Sequence, residues 1–317
     1  MLTNVTVADV GGTGIYINGG TGSHTLTDVT VADIVGTGIY VRSIGPTVTA
    51  TNLTIQNVGA TALAIIAADA GKWRSSNTSV SGTGILAIRF DGGTITDTRS
   101  WDENLIYYLS GEVTIAEGAE LTIPAGKIVK ADGDDRLRVD GTLKALGTAG
   151  SHIVFTSIKD DTIGGDTNAN GAATAPAAGD WQSVWISSDV AVGDLDYVDI
   201  RYAGEGSASI DSSIRTIKGH LSFANSTVSD GLGDGVWLYG GTATLSGNTI
   251  SNVQEYGIRV DTNSAVTLTN NAITNAGYGP LRLRAGSPAT TSGTTSIGSG
   301  RANAIHIQGG TISDARQ

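Results

Sequence analysis

The densest group of side chains able to do chemistry lies between Lys159 and Trp181, which read KDDTIGGDTNANGAATAPAAGDW. Within it Asp166, Asn168, Asn170 and Gly171 fit the spacing D-x-[DN]-x-[DN]-G. That spacing puts three oxygen-bearing side chains on one side of a tight loop, and the glycine permits the turn. Calcium takes about six to eight oxygen ligands, and Asp160, Asp161 and Asp180 are the neighbouring carboxylates. The twelfth position, where such loops carry a bidentate Glu, is Ala177. The expectation is a structural calcium ion held by Asp160, Asp161, Asp166, Asn168, Asn170 and Asp180, stiffening a segment unable to form strand ladders. The alternative is a solvated Asp/Asn/Gly turn.

Other reactive constellations are fragmentary. A glycoside hydrolase needs two carboxylates about 5 to 9 Å apart, and a polysaccharide lyase needs a Lys or Arg base beside acidic calcium ligands. Asp160-Asp161, Arg215 and Lys218-Gly219-His220 are the nearest candidates, in an order that reproduces neither set. Asp132, Asp134 and Asp135 (ADGDDR) read as a polar corner between strands. His24, His152, His220 and His306 show no metal-ligand spacing. The absence of Cys excludes disulfides and thiol chemistry. No catalytic residue is assigned. Trp73, Tyr107, Tyr108, Trp181, Trp185, Trp237 and Tyr239 are candidates for a sugar-stacking strip, and alternation turns Tyr16, Tyr40 and Trp237 outward.

The elements that would position these residues follow from repetition. LTNVTVADVGGTGIYI at 2–17, LTDVTVADIVGTGIYV at 26–41 and TNLTIQNVGATALAI at 51–65 align at a period of 24. Val5 and Val7 alternate with Thr6, and Ile15 and Ile17 with Tyr16, which is strand spacing. Such strands are too short to make a sheet within one turn, so each pairs with its counterpart roughly 4.8 Å along an axis. Val5, Val29 and Leu53 should stack, as should the turn residues Asp9, Asp33 and Asn57. Gly14 and Gly38 mark corners too tight for a side chain. The fold expected is an all-β, right-handed parallel β-helix of about 24 residues per coil, the hand following the crossover rule.

A longer unit lies over the coils. TVSDGLGDGVWL (227–238), TISNVQEYGIRV (249–260) and AITNAGYGPLRL (272–283) resemble the first three coils, and AIRFDGGTITDTR (87–99) matches AIHIQGGTISDAR (304–316). Gly92 and Gly309 are then equivalent, about 217 residues apart. Residues 1–98 read as the C-terminal part of one unit and 99–317 as a nearly complete second unit, with an inserted loop at 159–181. Both ends fall inside units, so the natural chain is expected to continue.

Residues 101–159 have a shorter rhythm, with strands expected at Val113–Ile115, Leu121–Ile123, Ile128–Lys130, Leu137–Val139, Thr142–Ala145 and Ile153–Thr156. GAELTIPAG at 118–126, Lys130, LRVDGTLKALG at 137–147, IVFTSIKDD at 153–161 and GDW at 179–181 resemble a recurrent segment of large secreted or cell-surface bacterial proteins with right-handed parallel β-helices. The resemblance implies an extracellular, adhesin-like setting.

Acidic residues (30) outnumber basic ones (19), giving a net charge of −11, which makes nucleic acid and anionic membranes poor partners. No apolar run reaches membrane-spanning length. The function expected is a structural or adhesive rod segment that meets neighbouring units end to end and binds surface glycans. A polysaccharide-degrading enzyme is the alternative. An ice-binding face is a third reading; its Thr6, Thr30, Thr54 row is broken in the later unit, which reads Thr227, Thr249, Ala272.

Overall fold

Short alternating strands that cannot pair within one turn leave their backbone groups to the turns above and below. The computed structural model, which describes residues 1–42, 47–205, 211–261, 263–292, 296–297 and 305–309, has this architecture. Its strand ladders are parallel, and the chain is the all-β solenoid that the period implies. Val5 pairs with Val29 and Val29 with Leu53, while Val7, Val31 and Ile55 form the next inward stack. All six strands expected between 101 and 159 are present, each extended by one or two residues.

A twelve-stranded sheet runs the length of the described solenoid, from Ile15–Asn18 to Ser296–Ile297. In the first turns it is preceded by a four-stranded sheet of long strands, Leu2–Val10, His24–Ile34, Val48–Val58 and Trp73–Ser81. In later turns its place is taken by an eight-stranded sheet running from Arg99–Ser100 to Ala289–Ser292. A nine-stranded sheet, from Gly93–Ile95 to Ile305–Gln308, forms the remaining face. Aromatic rings fill the core at the change of cross-section: Phe90 stacks on Trp101 at 4.7 Å, and Trp101 on Tyr107 at 5.1 Å.

The corner residues do more than satisfy turn backbone. Asp9, Asp33 and Asn57, and their later counterparts Asp230, Asn252 and Asn275, all have positive φ between 50° and 58°. Asn and Asp tolerate this left-handed conformation better than other side-chain-bearing residues. They also bond to each other along the axis: Asn57 Nδ2 donates to Asp33 Oδ1 at 3.1 Å, and Asn275 Nδ2 to Asn252 Oδ1 at 3.0 Å. A Cβ on Gly14 would stand 2.8 Å from Gly38 O, and one on Gly38 would stand 2.6 Å from Ala62 O, so these corners are closed to side chains.

The two copies of the longer repeat do not share faces. Ile15–Asn18, Ile39–Arg42, Thr61–Ile65 and Ile85–Phe90 belong to the twelve-stranded sheet. Their sequence equivalents Asp234–Leu238, Tyr256–Val260, Gly279–Arg284 and Ile305–Gln308 belong to the nine-stranded sheet. Between Ile85–Phe90 and Ile305–Gln308 the chain makes eight turns and one further face. Equivalent strands thus stand on different sheets of the solenoid. Of the matched segment 304–316, the part beyond Gly309 lies outside the described residues.

A buried Asn rung joins three late turns. Asn248 Nδ2 donates to Phe223 O at 2.7 Å and to Asn271 Oδ1 at 2.9 Å, and its Oδ1 accepts from Ser226 N at 3.0 Å. Asn248→Ala leaves Phe223 O and Ser226 N without these partners, at a cost of about 2 to 4 kcal/mol. Urea unfolding should show a correspondingly lower midpoint, with hydrogen exchange accelerated mainly in the turns around 223–271.

Candidate functional site

Of the six residues of the calcium motif, Asp160, Asp166 and Asp180 each accept their own set of hydrogen bonds. Asp160 is fully buried, and its carboxylate accepts from Thr156 Oγ1 at 2.7 Å, Thr162 N at 3.1 Å and Thr162 Oγ1 at 2.5 Å. Asp166 closes its own turn, accepting from Asn170 N at 3.1 Å and Gly171 N at 2.7 Å. Asp180 accepts from Ser157 Oγ at 2.7 Å, Ala177 N at 3.0 Å and Lys159 Nζ at 2.9 Å. Asn168 Oδ1 and Asp161 Oδ1 are buried without a hydrogen-bond partner. Among the described residues, no group of three or more His, Asp or Glu side chains is arranged to hold a metal ion.

A cation is nevertheless built into the segment. Lys130, 0% exposed, sends Nζ to Asp160 O at 2.8 Å and Gly165 O at 3.1 Å. Burial pulls its ammonium below the ordinary lysine range, and the carboxylates of Asp160, Asp161 and Asp166 oppose that shift. Around this centre the insertion folds back along the solenoid. Thr167 O accepts from Leu86 N at 2.8 Å, and Gly164 sits so close to Ile106 and Ile128 that a Cβ there would clash with Ile106. The segment leaves the twelve-stranded sheet at Ile153–Ser157 and returns on the nine-stranded sheet at Val184–Ile186, so it straps the corner between them across several turns. Lys130→Met strips the two carbonyls of their donor and the carboxylates of their counter-charge, a loss of roughly 2 to 4 kcal/mol. Faster proteolysis within 159–181 would register that loss.

The outward row of the nine-stranded sheet holds a different constellation, one that motif reading missed. Arg138, Trp185, Arg215, Trp237, Arg259, Arg282 and His306 occupy one register position in successive turns. Their signal in the sequence is the central residue of apolar–X–apolar triplets such as LRV, VWI, VWL and IRV. Guanidinium and indole planes alternate. Arg138 Cζ lies 5.3 Å from the Trp185 ring centre, and Arg136 Cζ 4.8 Å. Arg215 Cζ is 5.7 Å from Trp185 and 4.5 Å from Trp237, whose other neighbour, Arg259 Cζ, stands at 4.0 Å. Trp237 faces outward as expected, yet is only 3% exposed because the flanking guanidiniums cover it. Trp73, Tyr107 and Trp181 are buried and cannot serve a sugar strip; the Trp181 indole donates to Arg201 O.

Charge compensation along the row is uneven. Arg136 pairs with Glu112, Arg138 with Asp140 at 3.1 Å, Arg259 with Asp261 at 3.2 Å and Asp234 at 3.5 Å, and Arg282 with Asp261 at 3.6 Å. Arg215 pairs with no carboxylate among the described residues; the charged groups acting on it are Tyr239 and Arg259. Burial holds its guanidinium below the usual arginine range. Its Nε and the neighbouring Trp185 Nε1 are buried donors without acceptors. Toward the later turns Tyr256, Tyr278, Arg259, Arg282 and His306 line an open hollow, in which Tyr256 Oη lies 2.9 Å from His306 Nδ1. The arrangement suits an anionic ligand: cation–π packing presents the guanidinium edges.

Asp234, at the start of the strand that carries Trp237, lies fully buried and accepts from Tyr256 N at 2.9 Å. Burial pushes its carboxyl from 3.8 up to about 7, against the pull of Arg259. The folded state therefore keeps a proton that the unfolded chain has lost, so stability is fullest below the unfolded value and falls as pH rises towards 7. An Asp234→Asn variant should gain melting temperature relative to the parent between pH 5 and pH 8.

Two family descriptions match the chain. The right-handed β-helix region covers residues 213–314, and the pectate-lyase-like β-helix domain covers residues 93–261. Comparison with curated proteins and with solved structures gives no significant match. The second family match spans the eight- and nine-stranded sheets from their first turns, the strapped corner and the Arg–Trp row as far as Asp261. With more than half of its length inside that match and the remaining turns on the same parallel ladders, the chain belongs to the pectate-lyase-like group of right-handed β-helix domains.

Proposed function

We propose that this chain is a non-catalytic rod segment, displayed outside the cell, that adheres to acidic polysaccharide along the Arg–Trp row. The observation that carries this reading is Arg215: a half-buried guanidinium with no carboxylate partner among the described residues, held between two indoles beside an orphan indole N–H. Burying an uncompensated cation is unfavourable, and cation–π contacts of about 0.5 to 2 kcal/mol offset only part of that. A carboxylate or sulfate from a sugar acid completes the balance, beside the exposed ring of Tyr239. The chain as a whole carries a net charge of −11, which repels a polyanion from other faces and favours the basic row.

A lyase is the second reading, favoured by the family match and by the depressed basicity of Arg215, the property an arginine base requires. One experiment addresses both. Calorimetric titration with polygalacturonate should show binding that weakens with salt and exceeds binding to dextran. Arg215→Gln should lower affinity roughly tenfold or more, with Trp185→Ala acting in the same direction. Equal affinity for dextran, or none for polygalacturonate, overturns the adhesive reading. Accumulation of unsaturated uronate product would transfer the assignment to a lyase.

A further inference from the structure

A second column of side chains runs beside the Arg–Trp row, two residues further along each strand: Asp140, Ser187, Ile217, Tyr239 and Asp261. Backbone bonds hold it in register from turn to turn, from Ser187 N to Val139 O, Ile217 N to Ile186 O, Tyr239 N to Thr216 O and Asp261 N to Leu238 O. It lies on the same face as the row, since Asp140 meets Arg138, Tyr239 meets Trp237 and Asp261 meets Arg259. This stretch is acidic at its two ends and uncharged between them. At the ends the charges answer each other: Asp140 holds Arg138, and Asp261 serves Arg259 and Arg282. Arg215, in the uncharged middle, meets no carboxylate among the described residues.

Beyond Ile217 and Tyr239 the corner opens into a hollow of about 350 Å³, lined by both of these side chains and by Lys218, Asp189 and Asn263. Lys218 Nζ and Asp189 Oδ2 meet there at 3.0 Å, so the hollow adds one cation and one carboxylate that are already paired. The Tyr239 ring, exposed at the mouth of the hollow, has its centre 5.7 Å from Arg215 Cζ. A ligand acid on Arg215 therefore places the adjoining sugar against a phenol ring, an aliphatic side chain and a neutral ion pair. A second carboxylate at that point would lose water without gaining a free cation, which is unfavourable.

We infer that the Arg215 site reads one carboxylate at a time: its ligand is a polysaccharide whose acidic sugars are separated by neutral ones, the acid on the guanidinium and the neutral neighbour against Tyr239 and Ile217. This rests on the adhesive reading above and narrows its substrate class. A polymer charged at every sugar still binds through one acid, but it sets further carboxylates beside a hollow whose lysine is taken and a column that ends in aspartates.

Calorimetric titration of the intact chain with oligogalacturonates of one length and different methyl esterification tests this, because esterification removes charge and leaves the sugar unchanged. The partly esterified oligomer should bind about fivefold more tightly than the fully charged one. The fully esterified oligomer, with no carboxylate for Arg215, should bind about tenfold or more weakly than the partly esterified one. Asp189→Asn, at an exposed position, should leave the melting midpoint unchanged and free Lys218 for a second acid. It should raise affinity for the fully charged oligomer about threefold and narrow its difference from the partly esterified one. Equal or tighter binding of the fully charged oligomer by the parent chain, or a difference that Asp189→Asn does not move, overturns the spacing inference. The adhesive reading survives that result where Arg215→Gln still weakens binding. No binding of any charged oligomer, or equal binding of the fully esterified one, removes both.

Discussion

The in-register parallel ladder between successive turns is the constraint on which every other feature depends. No turn satisfies its own backbone, so each strand's N–H and C=O groups are spent on the strands one coil above and below. Register then becomes chemistry. Once Val29 is fixed on Val5 and Leu53 on Val29, each outward side chain is also fixed above its counterpart. Rows of like or complementary residues arise with no further instruction. The Asx corner ladder and the Arg–Trp row are two products of that rule, one at the corners and the other on a face. A stack one residue out of step would turn aliphatic residues to water along a whole strand, and the polar corners, which work only in the left-handed conformation, hold it in place.

The same ladder explains why a longer repeat need not repeat in space. Sequence identity is set by residue number, whereas face is set by the count of strands. A unit of whole turns plus one face carries matching sequences onto neighbouring sheets. The cross-section changes at the boundary, where long four-stranded-sheet strands give way to short ones. Phe90, Trp101 and Tyr107 fill that step, and the insertion reaches back to Leu86 across it. The longest non-strand segment therefore lies against the turns where stacking is least uniform. A buried ammonium ties it to the solenoid: Lys130 supplies positive charge and directed donors to the carbonyls of Asp160 and Gly165.

Much of this was legible in the sequence, and the reason is the one-dimensional nature of the fold. Contacts recur at the repeat period, so Val5, Val29 and Leu53 announce their own stacking, and the six strands between 101 and 159 follow from alternation. What was not legible depends on arrangement across faces or on folding back. The Asp166-Asn168-Asn170-Gly171 spacing does not disclose that Asp166 also accepts from the N–H groups of Asn170 and Gly171 in its own turn. Asp160 and Asp180 are likewise taken up by Thr, Ser and Lys donors that the motif could not reveal, because those donors come from the strand before the insertion and from its first residues. The Arg–Trp row escaped notice because the coils between its members vary in length, so no single period lines them up.

The row also clarifies how an acidic protein can present a basic face. Most of its arginines are matched within the chain, and Asp261 alone serves Arg259, Arg282 and the Trp237 indole. A purely structural stack would leave no guanidinium over, since the desolvation of a charge is repaid only when its partners are complete. Arg215 departs from that economy at the middle of the row, where indoles on both sides hold its plane in one orientation and Tyr239, 53% exposed, opens beside it. Fixed orientation lowers the entropy lost when an anion binds. In the adhesive reading proposed above, a ligand's charge would meet this oriented guanidinium and the neighbouring indole N–H, the buried donors along the row that lack acceptors among the described residues.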